Sequence, residues 1–201
     1  MPGGMQLVLL GFIAWTLCGQ SVTEGVSQYK SGKLAAAERT LRAAAGESED
    51  RPAAAYFLAL AQIEQNKLPE AEKSVEKLAG EAPDSELARL AGARLDIQRK
   101  RFDDAEAKLR EAEEINAGSS QLAYIRGVLA VARRDFQSAA GHLETAIEKE
   151  PDLAYAHYYA GLAYNGLKQH DKVVEHFQAF LRFAPQAPEA RKVQALLRAL
   201  K

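Results

Sequence analysis

Apolar residues along this chain recur at steps of three and four, with polar residues between them. In FDDAEAKLREAEEI, residues 102–115, they fall at Phe102, Ala105, Leu109, Ala112 and Ile115. On a helix of about 3.6 residues per turn these positions make one stripe. Strand signals are scarce, because valines and isoleucines are scattered among Ala, Glu, Lys, Leu and Arg, which favour helix. The pattern therefore predicts an all-α protein whose helices bury one face each.

The stripes repeat. Gly25, Ala59, Ala93, Gly127 and Gly161 are each 34 residues apart. Twelve residues further on in each unit come Ala37, Ala71, Ala105, Ala139 and, as the exception, Val173. Then follow Leu41, Val75, Leu109, Leu143 and Phe177, and after them Ala44, Leu78, Ala112, Ala146 and Phe180. Leu34, Leu68, Phe102 and Phe136 mark the turn between paired helices, and His170 takes their place in the last unit, where it is expected to pack. Pro83, Pro151 and Pro185 close units, with NAGS at 116–119 standing in once. Asp103 and Asp104 suit the first turn of a helix, and the Asp after Pro83 and Pro151 is placed to cap the next one. Units fall near 18–51, 52–85, 86–119, 120–153 and 154–187. One helix pair cannot bury its own apolar face, so neighbours must stack, and a stack needs a polar end. Residues 188–201 fit that end: Val193, Leu196, Leu197 and Leu200 form a stripe, while Arg191, Lys192, Arg198 and Lys201 stay in water.

A helix–turn–helix unit of this length, with small residues at these places and a closing proline, resembles the tetratricopeptide repeat. The resemblance covers roughly residues 18–187, and it lacks the Trp usual early in each unit. It implies an all-α, right-handed superhelical solenoid of about five repeats with a C-terminal capping helix. It also implies that one face of each first helix lines a concave surface. Those faces carry Ala53, Tyr56, Leu60 and Ile63; Leu87, Leu90, Arg94 and Ile97; Gln121, Tyr124, Val128 and Val131; and Tyr155, Tyr158, Leu162 and Asn165. Tyrosine presents a large apolar ring with a polar tip, which suits a reversible protein contact. The expected partner-binding residues are Tyr56, Leu60, Leu90, Arg94, Tyr124, Val128, Tyr155, Tyr158 and Leu162. Three readings stay open here: a groove for a segment of a protein or peptide partner, the same face buried in a homodimer, or a tight superhelix in which the rings bury one another. The Lys–Asn–Arg clamp by which some members of the family hold carboxylates is not reproduced, since Arg94 stands alone among Val, Leu and Tyr.

The N-terminus departs from the repeats. LVLLGFIAWTL, residues 7–17, is an uncharged apolar run of eleven. A membrane span needs about 20 such residues and a signal-peptide core about 7–15. Residues 1–19 are therefore expected to be a signal peptide, or else a retained anchor or a buried first helix. No Lys or Arg precedes the run, and Cys18 lacks the small residues before it that lipidation would want. Export to the periplasm, or tethering on the extracytoplasmic side, is the expected location, with membrane contact only through this segment.

Charge and chemistry narrow the function. The 26 basic and 27 acidic residues nearly cancel, which disfavours a nucleic-acid partner. One cysteine excludes an internal disulfide framework. His157, His170 and His176 share a unit but are not spaced as a zinc set, and His176 is expected to face water. Ser74 and Ser138 sit in helix interiors without a nucleophile elbow, and no phosphate loop occurs. No cofactor, metal or catalytic residue is expected, and the protein is read as a non-enzymatic binding scaffold. The turn sequences KSGK, QNK, RKR, ARR and LKQ make a basic ridge, read first as cations at helix C-termini, with a contact to anionic headgroups or an acidic partner as the alternative. Asp96 and Arg126, at places the family fills with apolar residues, are expected to pair across adjacent units.

Overall fold

The computed structural model describes residues 21–46 and 50–200. The leader and Cys18 lie outside the described residues. The chain is helical over 21–30 (α1), then over Leu34–Ala44 (α2), Arg51–Glu64 (α3), Leu68–Glu81 (α4), Glu86–Gln98 (α5), Phe102–Asn116 (α6), Ser120–Arg133 (α7), Phe136–Lys149 (α8), Ala154–Gly166 (α9), His170–Phe183 (α10) and Ala190–Ala199 (α11). Among the described residues there is no strand, and no helix is long and apolar enough to cross a membrane. Consecutive helices pair antiparallel, and alternate helices α3, α5, α7 and α9 also touch in series. The result is a helical solenoid with those four on its inner layer.

The repeat register sets the core. Ala37, Ala71, Ala105, Ala139 and Val173 are all fully buried, as are Leu41, Leu109, Leu143 and Phe177, with Val75 half-buried. Gly127 and Gly161 show why small residues recur at the helix crossing. A methyl at Gly127 would lie 2.4 Å from Leu143, and one at Gly161 would lie 2.3 Å from Phe177. The stripe of α6 ends sooner than its periodicity suggests, since Ile115 is 49% exposed.

Every helix pair turns in the same way. Gly32, Asn66, Lys100, Arg134 and Lys168, again 34 apart, all have positive φ. The next amide closes each turn by donating five residues back: Lys33 to Gln28, Lys67 to Gln62, Arg101 to Asp96, Asp135 to Ala130 and Gln169 to Tyr164, at 2.8–3.0 Å. This left-handed cap satisfies carbonyls that the helix end would otherwise leave bare. Arg and Lys from these turns then reach back to acids of the preceding pair: Lys67 to Glu38, Arg99 to Glu72, and Arg133 to Asp103 and Glu106.

Three local expectations are corrected. The cap of α5 is Ser85, whose hydroxyl accepts from Leu87, and α9 starts without a side-chain cap because Asp152 turns to Lys30. Asp96 and Arg126 do not pair. Asp96 is held by Arg101 and Lys108 of its own unit, while Arg126 reaches across the junction with the preceding unit to Glu113 at 2.6 Å, so each charge has a nearer partner than the other. His170 is exposed, and its helix starts in solvent.

Candidate functional site

The expected partner-binding residues do lie together on the inner layer, but most are sealed. Tyr56, Leu60, Leu90, Tyr124 and Tyr155 have no exposed surface, Arg94 is 1% exposed and Val128 3% exposed. Tyr158 and Leu162 are half-buried. The open groove is therefore corrected to a filled one, in which the rings bury one another. A homodimer cannot use this face while the chain itself occupies it.

The physical reason is that the solenoid curls until its first unit meets its fifth. Tyr29 of α1 stacks on Tyr155 of α9 with ring centroids 5.9 Å apart, and meets Phe57 of α3 at 5.4 Å. Lys30 Nζ lies 2.9 Å from Glu150 Oε2 and 3.1 Å from Asp152 Oδ1, both in the loop before α9. Gly32, in the turn after α1, is packed so closely that an added methyl would fall 2.7 Å from Ala184. Hydrogen bonds also cross the hollow. The Tyr56 hydroxyl donates to Gln121 Oε1 at 2.9 Å, and the amide of Gln121 donates to Glu150 Oε1 at 2.9 Å. Ser120 donates to the same carboxylate oxygen. Burial pushes Glu150 upward, but the bonds from Ser120, Lys30 and Gln121 outweigh it and hold this acid below its usual range.

Arg94 is the centre of the polar interior. One guanidinium nitrogen donates to Glu64 Oε1 at 2.8 Å and to the Tyr159 hydroxyl at 2.9 Å, and the other donates to Gln98 Oε1 at 3.2 Å. Burial opposes the charge on Arg94, yet the Glu64 carboxylate more than offsets it, so the group is held well above its ordinary value. Among the described residues, Nε of Arg94 is buried without a hydrogen-bond partner. Burial raises the tyrosines generally, Tyr158 to about 12, so their hydroxyls stay protonated. Sequence reasoning missed Glu64, Tyr159 and Tyr29 as members of this cluster, and it placed Gln121 on the inner face without giving it a partner. Tyr29 was legible, since it occupies in the first unit the place of Ile63, Ile97 and Val131. Glu64 stands where the following units have Gln98, Ala132 and Gly166, so an acid there was a signal beside the single Arg.

What stays open is the edge of the inner layer. A hollow of about 360 Å³ is lined by Arg94, Ile97, Lys100, Phe102, Val131 and Tyr159, among others. Arg94 forms its floor, already paired with Glu64, and Lys100 stands exposed on the rim. A larger hollow of about 570 Å³ lies elsewhere, along α2 between Glu38, Arg39, Arg42 and Lys67. Its main charges are spent on one another, because Glu38 holds both Arg42 and Lys67 at 2.6 Å, so it offers less to a ligand.

The histidines take unexpected places. His176 is 2% exposed instead of facing water, because Tyr164 stacks over it with ring planes 9° apart and His157 lies on its other side. Among the described residues no three His, Cys, Asp or Glu side chains gather as a metal set.

The comparisons agree with this architecture. The profile of the tetratricopeptide repeat matches residues 22–86 and 124–188, more than half of the chain. No protein of curated function matches the sequence. Among solved structures, a thermophilic tetratricopeptide repeat protein of Thermus thermophilus is similar over 90% of this chain and 98% of its own, with 20% identity and a TM-score of 0.63. The Cut9–Hcn1 hetero-tetramer of the APC/C matches 90% of this chain and 36% of its own, with 17% identity and a TM-score of 0.63. A tetratricopeptide repeat protein of Parabacteroides merdae ATCC 43184 matches 91% and 73% respectively, with 17% identity and a TM-score of 0.51. Likeness at this level of identity speaks for the fold. With helix pairs in an unbroken register and the repeat profile matched across both halves, the chain belongs to the tetratricopeptide repeat family.

Proposed function

We propose that this protein is an adaptor that holds a segment of a protein partner at the open edge of its inner layer. The family generally serves as a protein-interaction scaffold, and the observation that favours this edge is the hollow itself. It joins apolar walls from Phe102, Val128 and Val131 to the Tyr159 ring and the Lys100 ammonium. A site of this kind suits a short segment carrying an apolar side chain beside a hydrogen-bond acceptor, with backbone helices held rigid by packing. Of the nine residues expected from sequence, Arg94 and Val128 line this hollow. Tyr124 supports it from inside, its ring centroid 6.1 Å from that of Tyr159.

The test places a photo-crosslinking residue at Val131, or at Gly141, whose α-carbon faces open space. A partner that crosslinks from position 131, not from 141, and that Val131→Glu no longer recruits supports the reading. Equal crosslinking from both places, or recruitment untouched by Val131→Glu, refutes it. We also propose that residues 7–17 direct export. The intact mass of the native chain checks this: a full-length 21.9 kDa species confined to the cytosol rejects it.

A further inference from the structure

Cations recur at one place along the turns that join paired helices. Lys100, Arg134 and Lys168 take the left-handed position of the third, fourth and fifth turns, with φ of 61°, 63° and 60°. Gly32 holds it in the first turn at 69° and Asn66 in the second at 57°. Glycine adopts this conformation without strain and asparagine with little, whereas a long side chain is strained there.

Nothing within the chain accounts for three strained cations. A cation near a helix C-terminus is favoured, but by less than the left-handed backbone costs. Arg99 and Arg133, one residue earlier, already sit at that helix end, and they pair with Glu72 and with Asp103 and Glu106. Lys100, Arg134 and Lys168 are exposed, and among the described residues none of them makes an ion pair or a side-chain hydrogen bond. Of the acids along this edge, Asp103 is held by Arg133, Asp104 lies 3.9 Å from Arg101, and Asp135 accepts from the amide of Ser138. Strain kept at exposed, unpaired side chains points to a use outside the chain.

The row runs into the hollow already described, since Lys100 stands on its rim and Phe102, Val128, Val131 and Tyr159 line it. We propose that the partner segment is acidic, with carboxylates that meet Lys100, Arg134 and Lys168 in turn, while an apolar side chain beside the first of them enters the hollow. This rests on the adaptor reading above. The spacing follows from the layer beneath. Helices α5, α7 and α9 pack in series, and packed helices lie about 8–10 Å apart. An extended chain advances about 3.3 Å per residue, so the carboxylates fall about three residues apart.

A segment fits this row better than a flat anionic surface does. Asp103, Asp104 and Asp171 stand in the first turns of α6 and α10 on the same edge, all of them exposed. A plane of headgroups would meet these acids too, whereas a chain can follow the cations alone.

The test is fluorescence anisotropy on the full chain with a labelled heptapeptide, at about 50 mM and about 200 mM salt. The peptide carries glutamate at its first, fourth and seventh positions and leucine at its second. Exposed ion pairs are each worth about two- to fivefold in affinity, so exchanging the three glutamates for glutamine should weaken binding roughly tenfold or more at the lower salt. The difference should shrink at the higher salt, where charges are screened. The variant Lys100→Gly/Arg134→Gly/Lys168→Gly should erase it and melt no lower than wild type, because glycine relieves the turns. Lys73→Gln/Arg110→Gln/Arg191→Gln removes as much charge from exposed places elsewhere and should keep it. Absence of a preference for glutamate, a preference that survives the glycine variant, or one that the control variant loses equally overturns the proposal. Melting of the glycine variant well below wild type would mean that these side chains serve the fold itself, and overturns it too. So does row-dependent binding to phosphatidylglycerol vesicles without a preference for the acidic peptide, which would assign the row to a membrane surface. Changing the leucine to serine reads the hollow separately. Binding weakened by that change but not by glutamine strikes the row and leaves the adaptor reading, whereas the reverse keeps the row and refutes the hollow.

Discussion

Changing Glu64→Gln tests whether the sealed inner layer is held by the Arg94 ion pair. Glutamine already stands at the same place in the next unit as Gln98, so the shape is tolerated by the register. The side chains of Arg94 and Glu64 are only 2% and 6% exposed. Removing the carboxylate charge strands a buried guanidinium with a hydroxyl and an amide oxygen. Breaking a buried pair from one side costs about 3–5 kcal/mol. Arg94→Leu, which puts in the residue found at Leu60 and Leu162, strands Glu64 instead and belongs in the same range. Replacing both partners removes the stranded charge. That exchange is often neutral or stabilising by about 1–4 kcal/mol, and the lost partner of the Tyr159 hydroxyl takes back about 1–3 kcal/mol. The double variant should therefore lie within about 3 kcal/mol of wild type, clear of the roughly 6–10 kcal/mol loss that adding the single costs would give. Urea unfolding followed by far-ultraviolet circular dichroism measures all four proteins. Additive single effects would refute the pairing argument, as would a loss below about 1 kcal/mol in Glu64→Gln.

Two further outcomes follow from the register. Gly161→Ala should destabilise by about 1–3 kcal/mol, because the new methyl meets the Phe177 ring and a full aromatic must shift. Unchanged thermal melting would contradict that crossing geometry. Arg134→Gly should hold or raise stability: a left-handed non-glycine costs roughly 1–2 kcal/mol, against about 0.3–1 kcal/mol for a cation at a helix end. A loss above about 1 kcal/mol would show that Arg134 makes a contact worth more than the strain it carries.

The helix pairs were legible in the sequence because each depends on short-range spacing. Ala105, Leu109 and Ala112 must share a face whatever the rest of the chain does, and the same holds for their counterparts in each unit. The site was less legible, because its state depends on curvature. Curvature accumulates from small rotations between successive units, and no single residue declares it. Tyr56, Tyr124 and Tyr155 were placed on the right face but assigned to an open surface, since nothing in the register says that Tyr29 will arrive opposite Tyr155. His176 was misread for a related reason. Its position next to Phe177 suggests an outward side chain, yet Glu144 and Tyr164 from neighbouring helices cover it. Asp96 failed the other way: a long-range partner was expected where Lys108, twelve residues on in the paired helix, was nearer.

Closure also separates the roles of residues that sequence treats alike. An inner layer of leucines and valines alone would collapse without regard to register, since apolar contact is non-directional. Here the contacts across the hollow include directed bonds, Tyr56 to Gln121, Arg94 to Tyr159 and Lys30 to the 150–152 loop. Two of these span 65 residues, so each ties a unit to the next but one. They constrain the angle between units as well as their separation, whereas Lys30 constrains only the last step, where α1 meets α9. The closed form is thus built from an inner set of contacts that is buried and a clasp that is partly wet: the Lys30 side chain is 21% exposed and that of Asp152 59%. The clasp charges are the ones that water reaches. The Arg94 pair is the reverse, with the side chains of Arg94 and Glu64 only 2% and 6% exposed.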